Sequence, residues 1–372
     1  LTTVGVEPTL KITARLKEAV RRRRPKIGVL VAASLFMACG GQVAPAQVDW
    51  QWGPLVVTYG LPGTWNDEGH RLGSVVFDGS LHHLYLIGGD LWGGAMMVGH
   101  RSSSDVAGPW DADSENPVLE PGDLGQWDEF RIYTLSVDFD GSTFHMWYGA
   151  HGELPGDPGP SYVGHATNDN GFGAWSKDHQ NNPLPGLEPG QPGEWDEYGV
   201  APKTVLVDGM RHRMWFTTGF TTGGGETVWH IGLAESTDSG ITWAKDPENP
   251  VFEPTELWET TQIYSPAVLP DQDTGLGVWY GGISGAPRAT IGYAISPDGI
   301  HWGKWPGNPV LEPDPWCNRV DTSAMLREGG TVYGWVAMCE YIYLVSSPFE
   351  VGFFDGFESG DTSAWSAVVP SF

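Results

Sequence analysis

Trp258-Glu-Thr-Thr-Gln-Ile-Tyr264-Ser-Pro-Ala-Val-Leu269 opens the stretch that decides the fold. An acidic turn at Asp271 and Asp273 leads to Gly277-Val-Trp-Tyr-Gly-Gly282, then to Ile291-Gly-Tyr-Ala-Ile-Ser-Pro-Asp-Gly-Ile-His-Trp302, and finally to Asn308-Pro-Val-Leu-Glu-Pro313. Short runs of apolar and aromatic residues bounded by Gly, Pro and Asp read as four strands. The sequence on either side of this stretch consists of further copies of it.

Trp65, Trp127, Trp195, Trp258 and Trp316 start five copies, separated by 62, 68, 63 and 58 residues. Second strands recur as Leu84-Tyr-Leu-Ile-Gly, Met146-Trp-Tyr-Gly, Met214-Trp-Phe-Thr, Val278-Trp-Tyr-Gly and Val332-Tyr-Gly-Trp. Third strands recur as Val98-Gly-His, Val163-Gly-His-Ala, Ile231-Gly-Leu-Ala, Ile291-Gly-Tyr-Ala and Ile342-Tyr-Leu-Val. The first four copies end in Asn-Pro, at Pro117, Pro183, Pro250 and Pro309. The fifth lacks a closing strand, and Trp50-Gln-Trp-Gly-Pro54-Leu55 matches the missing piece, with Pro54 lying 63 residues before Pro117. Four-stranded repeats of this length predict an all-β, five-bladed β-propeller, closed by an N-terminal strand that completes the last blade. Closure removes the exposed edges of an open sheet array. Trp110, Trp175, Trp243 and Trp302 are expected in the blade cores.

Three segments are expected: a signal peptide with an upstream segment (1–46), the propeller (47–350) and a C-terminal tail (351–372). Arg21–Arg24 and Lys26 precede an apolar run over residues 27–38 and an Ala44-Pro-Ala46 cleavage site, so export is expected. The apolar run is too short to span a membrane. Cys39 within Met-Ala-Cys-Gly offers lipoprotein processing as an alternative. Residues 47–372 hold 12 Lys and Arg against 44 Asp and Glu, a net charge of −32. Nucleic acid and anionic membrane surfaces are therefore poor partners, and a monomer is expected.

The repeated row of Trp-acid, Trp-Tyr-Gly, Ile-Gly-Tyr-Ala, Asp-Gly, Trp and Asn-Pro-Val-Leu over about residues 48–347 resembles the five-bladed glycoside hydrolases of families 43, 32, 68 and 130. The resemblance implies a glycoside hydrolase acting on plant or microbial polysaccharide or oligosaccharide. Carboxylates at the channel mouth would do acid and base work. On this likeness Asp67 is the base, Asp196 or Glu197 an orienting carboxylate and Glu259 the acid. An acid following Trp in successive blades would equally serve to hold a repeated loop, and the sharper sequence signatures of those families are absent. A non-catalytic glycan-binding propeller is therefore a second expectation. No cofactor is expected; the resemblance allows a structural Ca²⁺, and no metal-ligand spacing assigns residues to one.

A second constellation departs from the repeat. Two alternating positions at the start of each first strand hold Gly69/Arg71, Arg131/Tyr133, Tyr198/Val200, Gln262/Tyr264 and Arg319/Asp321. Arg71, Arg131 and Arg319 come from blades that become neighbours on closure. Such a group suits a carboxylate, sulfate or phosphate on the ligand, so Arg71, Arg131, Tyr133, Tyr198, Tyr264, Arg319 and Asp321 are candidate substrate-binding residues. The alternative is that each Arg pairs with a local acid such as Asp67, Glu129 or Asp321. Ser236-Thr-Asp-Ser-Gly-Ile-Thr-Trp243 matches the Asp-box of sialidases, and Ser296–Trp302 is a shorter variant. The box implies a propeller turn; with the arginines it keeps sialidase-like or uronate-directed hydrolysis open.

Cys317 and Cys339 are the two cysteines outside residues 1–46. An exported chain makes them a disulfide pair. Both lie 11 residues from Glu328, in the last hairpin turn, so they are expected to face each other across an antiparallel pair.

Overall fold

The computed structural model describes residues 50–57, 65–66, 70–89, 95–151, 160–271, 275–284, 288–314, 316–339 and 341–348. The expected signal segment, Cys39, Asp67 and the tail 351–372 lie outside these residues. The described residues are all-β and contain no helix.

Twenty strands follow one another: β1 (Gln51–Val57), β2 (His70–Phe77), β3 (His82–Gly89), β4 (Met96–Ser103), β5 (Asp111–Ala112), β6 (Arg131–Phe139), β7 (Phe144–His151), β8 (Tyr162–Asn168), β9 (Ser176–Lys177), β10 (Ala201–Asp208), β11 (Arg211–Thr221), β12 (Thr227–Ser236), β13 (Ala244–Lys245), β14 (Gln262–Asp271), β15 (Gly275–Ile283), β16 (Ala289–Ser296), β17 (Gly303–Lys304), β18 (Val320–Glu328), β19 (Thr331–Met338) and β20 (Tyr341–Ser347). Strands β2–β5 and β6–β9 form two four-stranded antiparallel sheets. The sets β10–β13 and β14–β17 repeat the pattern and are joined by one parallel bridge, Trp229 to Gln262. The fourth sheet runs β1-β20-β19-β18. In it Gln51 pairs with Ser346, Trp52 with Val345, Leu55 with Tyr343 and Val57 with Ile342, so the N-terminal strand meets the expected partner.

The repeated residues explain the repeated geometry. The Asn of each Asn-Pro clips the third strand: Asn116 Oδ1 accepts from His100 N at 2.6 Å while its Nδ2 donates to His100 O at 2.9 Å. Asn182 grips His165, Asn249 grips Leu233 and Asn308 grips Tyr293 in the same way. The third-strand glycine makes room for the Trp that opens each of the first four copies. A Cβ on Gly99 would lie 2.1 Å from the Trp65 ring and one on Gly292 2.5 Å from Trp258. Trp147, Trp215, Trp279 and Trp335, one row of the second strands, are fully buried; Trp110, Trp175 and Trp243 are buried as well. At Ser236–Trp243 the Asp238 carboxylate accepts from Ser236 Oγ and from the amide and hydroxyl of Thr242, at 2.6–2.9 Å, and Trp243 Nε1 donates to Gly240 O. Asp298 and Trp302 build the corresponding turn after β16.

The first strands of the sets pack in a cycle: β2 on β6, β6 on β10, β10 on β14, β14 on β18, and β18 on β2. Hydroxyls tie neighbours together, since Val137 N donates to Ser74 Oγ at 3.0 Å, Val205 N to Ser136 Oγ at 2.9 Å and Thr322 Oγ1 to Ser265 O at 2.6 Å. Between these strands lies a channel of about 250 Å³, lined by residues 73–77, 136–138, 203–206, 267–269 and 324–326.

Cys317 and Cys339 form a disulfide with Cα atoms 5.5 Å apart. The route to it differs from the expected one. The ladder pairs Val320 with Met338 and Glu328 with Thr331, with an irregularity between Thr322 and Ala324. Positions equidistant from Glu328 therefore do not face each other. The bridge forms just beyond the ladder, where Cys339 turns into the left-handed region at φ 49°.

Candidate functional site

Three of the four expected catalytic carboxylates fall within the described residues, and each is held by its own loop. Asp196 is buried and accepts from Lys245 Nζ. Glu259, 0% exposed, is paired with Lys304, accepts from Tyr280 Oη at 2.9 Å, and accepts from the amides of Thr255 and Glu256. Asp128 repeats the pattern with Lys177 Nζ at 2.6 Å and Tyr148 Oη at 3.2 Å. The lysines come from β9, β13 and β17, the short strands remote from the channel. Glu197 accepts from Gly193 N at 2.8 Å and closes its own turn. A buried carboxylate with these partners is a structural brace, because it is spoken for before any substrate arrives. The loop-holding alternative is thus what surrounds Asp196, Glu197 and Glu259, and the acid–base roles expected of them are not supplied by these contacts.

The second constellation is brought together at the start of the cyclic strands. Arg71 on β2 lies within the electrostatic reach of Arg319, Asp321 and Arg131. Lys203 on β10 lies within reach of Arg71, Asp321 and Arg319 and also lines the channel. Asp321 is the carboxylate among them. Its Oδ1 accepts from Tyr264 Oη and its Oδ2 from Arg319 Nε, and the Arg319 guanidinium lies 5.5 Å from the Tyr264 ring centre. Arg131 stacks 4.9 Å from the Phe130 ring, its buried Nε without a hydrogen-bond partner. Tyr133 packs edge-on against His151 with ring centres 4.8 Å apart. Tyr198 stands apart, stacked on Trp229 at 5.6 Å and hydrogen-bonded to Thr221.

The electrostatics follow from the recess. The Arg71 side chain is open to water yet surrounded by protein, so loss of bulk solvent and then Arg319 lower its pKa. Lys203 is brought down to about 8 by burial first and by Arg71 next. Burial lowers Arg319 as well, but Asp321 and Tyr264 together outweigh it and the net direction is upward. Burial, then Asp321, raises the Tyr264 phenol well above the ordinary range, so it remains a hydrogen-bond donor. Tyr133 is raised to about 12 by burial. His151 is held near 4, by burial and then by Arg131.

Lys203 was not among the expected residues. Taking Tyr198 and Val200 as the third copy's pair stopped short of it. The irregularity between Pro202 and Thr204 puts Lys203 where Gly73 on β2 and Ser323 on β18 break their own ladders. The available signal was its charge, in a region with few basic residues. Among the described residues no group of three or more His, Cys, Asp or Glu could hold a metal ion, and no helix is long and apolar enough to cross a membrane.

No family model matches the sequence, and no match is found among curated proteins. Solved structures do match. A structure from the family-130 mannoside phosphorylases, a family containing glycoside hydrolases that target β-1,2 mannosidic linkages in Candida mannan, is 13% identical. It covers 82% of this chain and 95% of its own, with a TM-score of 0.62. A thermostable family-43 glycoside hydrolase is 17% identical, covering 80% and 95%, with a TM-score of 0.57. A family-117 glycoside hydrolase from the marine bacterium Zobellia galactanivorans is 15% identical, covering 81% and 90%, with a TM-score of 0.55. The chain therefore shares the fold of the propeller-type glycoside hydrolases.

Proposed function

We propose that this protein is an exported, carbohydrate-active propeller of five blades, closed by β1, that hydrolyses glycosidic bonds at the mouth of its channel. The observation that carries the reading is the convergence of Arg71, Arg131, Lys203, Tyr264 and Asp321 from the five cyclic first strands, with Arg319 from the approach to β18. The pairing of β1 with β20 and the cycle β2-β6-β10-β14-β18 support five blades and closure. The apolar run and cleavage site in residues 1–46 support export.

Hydrolysis by two carboxylates needs a pair roughly 5–10 Å apart. Asp321, which keeps more of its carboxylate exposed than Asp196 or Glu259, supplies one. Asp67 is the partner we propose, from its position four residues ahead of Arg71. A carboxylate oriented by an arginine and a phenol is suited to hold developing positive charge. The test is a panel of plant and microbial oligosaccharides with Asp321→Asn and Asp67→Asn. Each variant should lose about 10²–10⁴-fold in turnover at an unchanged melting temperature; full hydrolysis by Asp321→Asn would overturn the assignment. The commitment of Asp196, Glu197 and Glu259 to loop bonds favours a second reading, a glycan-binding propeller without turnover. Binding without hydrolysis in the unaltered protein would establish it.

A further inference from the structure

Residues 47–372 contain twelve lysines and arginines. Nine have protein acceptors: Lys177, Lys245, Lys304, Arg211, Arg288, Arg319 and Arg327 pair with carboxylates, and Arg101 and Arg213 donate to main-chain oxygens. The other three, Arg71, Arg131 and Lys203, donate no hydrogen bond and form no ion pair among the described residues. In a region with 44 acids, three cations without a carboxylate would be expected to scatter over the surface. Instead all three belong to the mouth cluster, on β2, β6 and β10. The one described carboxylate there, Asp321, is already taken by Arg319 and Tyr264.

Cations crowded together in a recess repel one another, and an anion bound among them relieves that repulsion. We infer that Arg71, Arg131 and Lys203 form an oxyanion subsite for a sugar carrying a carboxylate or a sulfate ester, with Lys203 setting the preference for the charged sugar. This rests on the reading of the mouth as a carbohydrate site. The two guanidinium planes can grip an oxyanion edge-on, while the ammonium acts as a point charge from the channel side. The pKa of Lys203 is lowered by burial and then by Arg71, and Asp321 offsets this only in part.

The test is calorimetric titration with a trigalacturonide, a sulfated galacto-trisaccharide, a neutral galactotriose and inorganic sulfate, on the full protein and on Lys203→Met and Lys203→Arg. Expected is a preference for a charged trisaccharide that weakens with salt. Lys203→Met should lose about 10–100-fold in affinity for it, little for the neutral one, and Lys203→Arg should restore most of the loss. Affinity for the charged sugar should also fall as pH rises through about 8 in the parent and not in Lys203→Arg. The trisaccharide bound more tightly, carboxylated or sulfated, identifies the oxyanion. Equal affinity for charged and neutral sugars would overturn the subsite and leave the carbohydrate reading intact. Lys203-dependent binding of sulfate ion with no trisaccharide bound would keep the cation cluster and overturn the carbohydrate reading. Loss of affinity in both Lys203 variants alike would show Lys203 to be structural.

Discussion

Glu259 shows how a single residue type carries two meanings. Its place after Trp258 fits a catalytic acid, yet its carboxylate is bonded to Lys304, Tyr280 and two amides. Sequence could expose the column of acids but not its partners, because Lys177, Lys245 and Lys304 lie 45–49 residues downstream of their acids. The arginines were legible for the opposite reason. They interrupt a repeat, and what interrupts a repeat is not explained by the packing that the repeat serves. Lys304→Met should leave a buried carboxylate uncompensated and cost about 3–5 kcal/mol in denaturant unfolding, with glycan turnover per folded molecule unchanged at low temperature. Unaltered stability with turnover abolished would return Glu259 to the chemistry.

At the scale of elements, the Asn-Pro closings, the Trp-Gly contacts and the hairpin turns follow from local rules, so strand order was legible throughout. Register was less so. The irregularities at Gly73, Lys203 and Ser323 shift facing residues by one, and periodicity alone does not mark them. The disulfide illustrates this: its partners were right, while the ladder expected to align them was not. Its place is informative, because the bridge pins the segment carrying Arg319 and Asp321 to the end of β19. Cys317→Ser with Cys339→Ser should lower stability by about 2–4 kcal/mol and weaken ligand binding. Intact mass before and after reduction in denaturant should differ by two hydrogens; two thiols already free to alkylate would rule the bridge out.

For the molecule as a whole, buried imidazoles set the response to acid. His151 and His165 are held near 4, chiefly by burial, with Arg131 and His145 adding to it, and burial lowers His212 and His230 as well. Unfolded histidines bind protons from about pH 6.5 downward, while His151 and His165 remain neutral in the fold until about pH 4. Their contribution is therefore complete above pH 6.5 and is lost as pH falls from there towards 4. His151 and His165 each account for at most about 3 kcal/mol. Melting temperature should drop between pH 7 and pH 5, and His165→Leu, the residue that Leu233 supplies in the next copy, should flatten the slope. Equal melting temperatures at the two pH values would contradict the burial of these rings.

The hydrogen bonds between β1 and β20 have one more consequence. Gln51 lies opposite Ser346, so the chain leaves this sheet close to where it entered, and its beginning and end are interchangeable with any other hairpin. A gene rearranged to start at the exposed Asp140-Gly141 turn, with a short Gly-Ser link joining residues 348 and 50, would encode the same set of paired strands. The natural point of opening is then one choice among several that the sheets themselves do not distinguish.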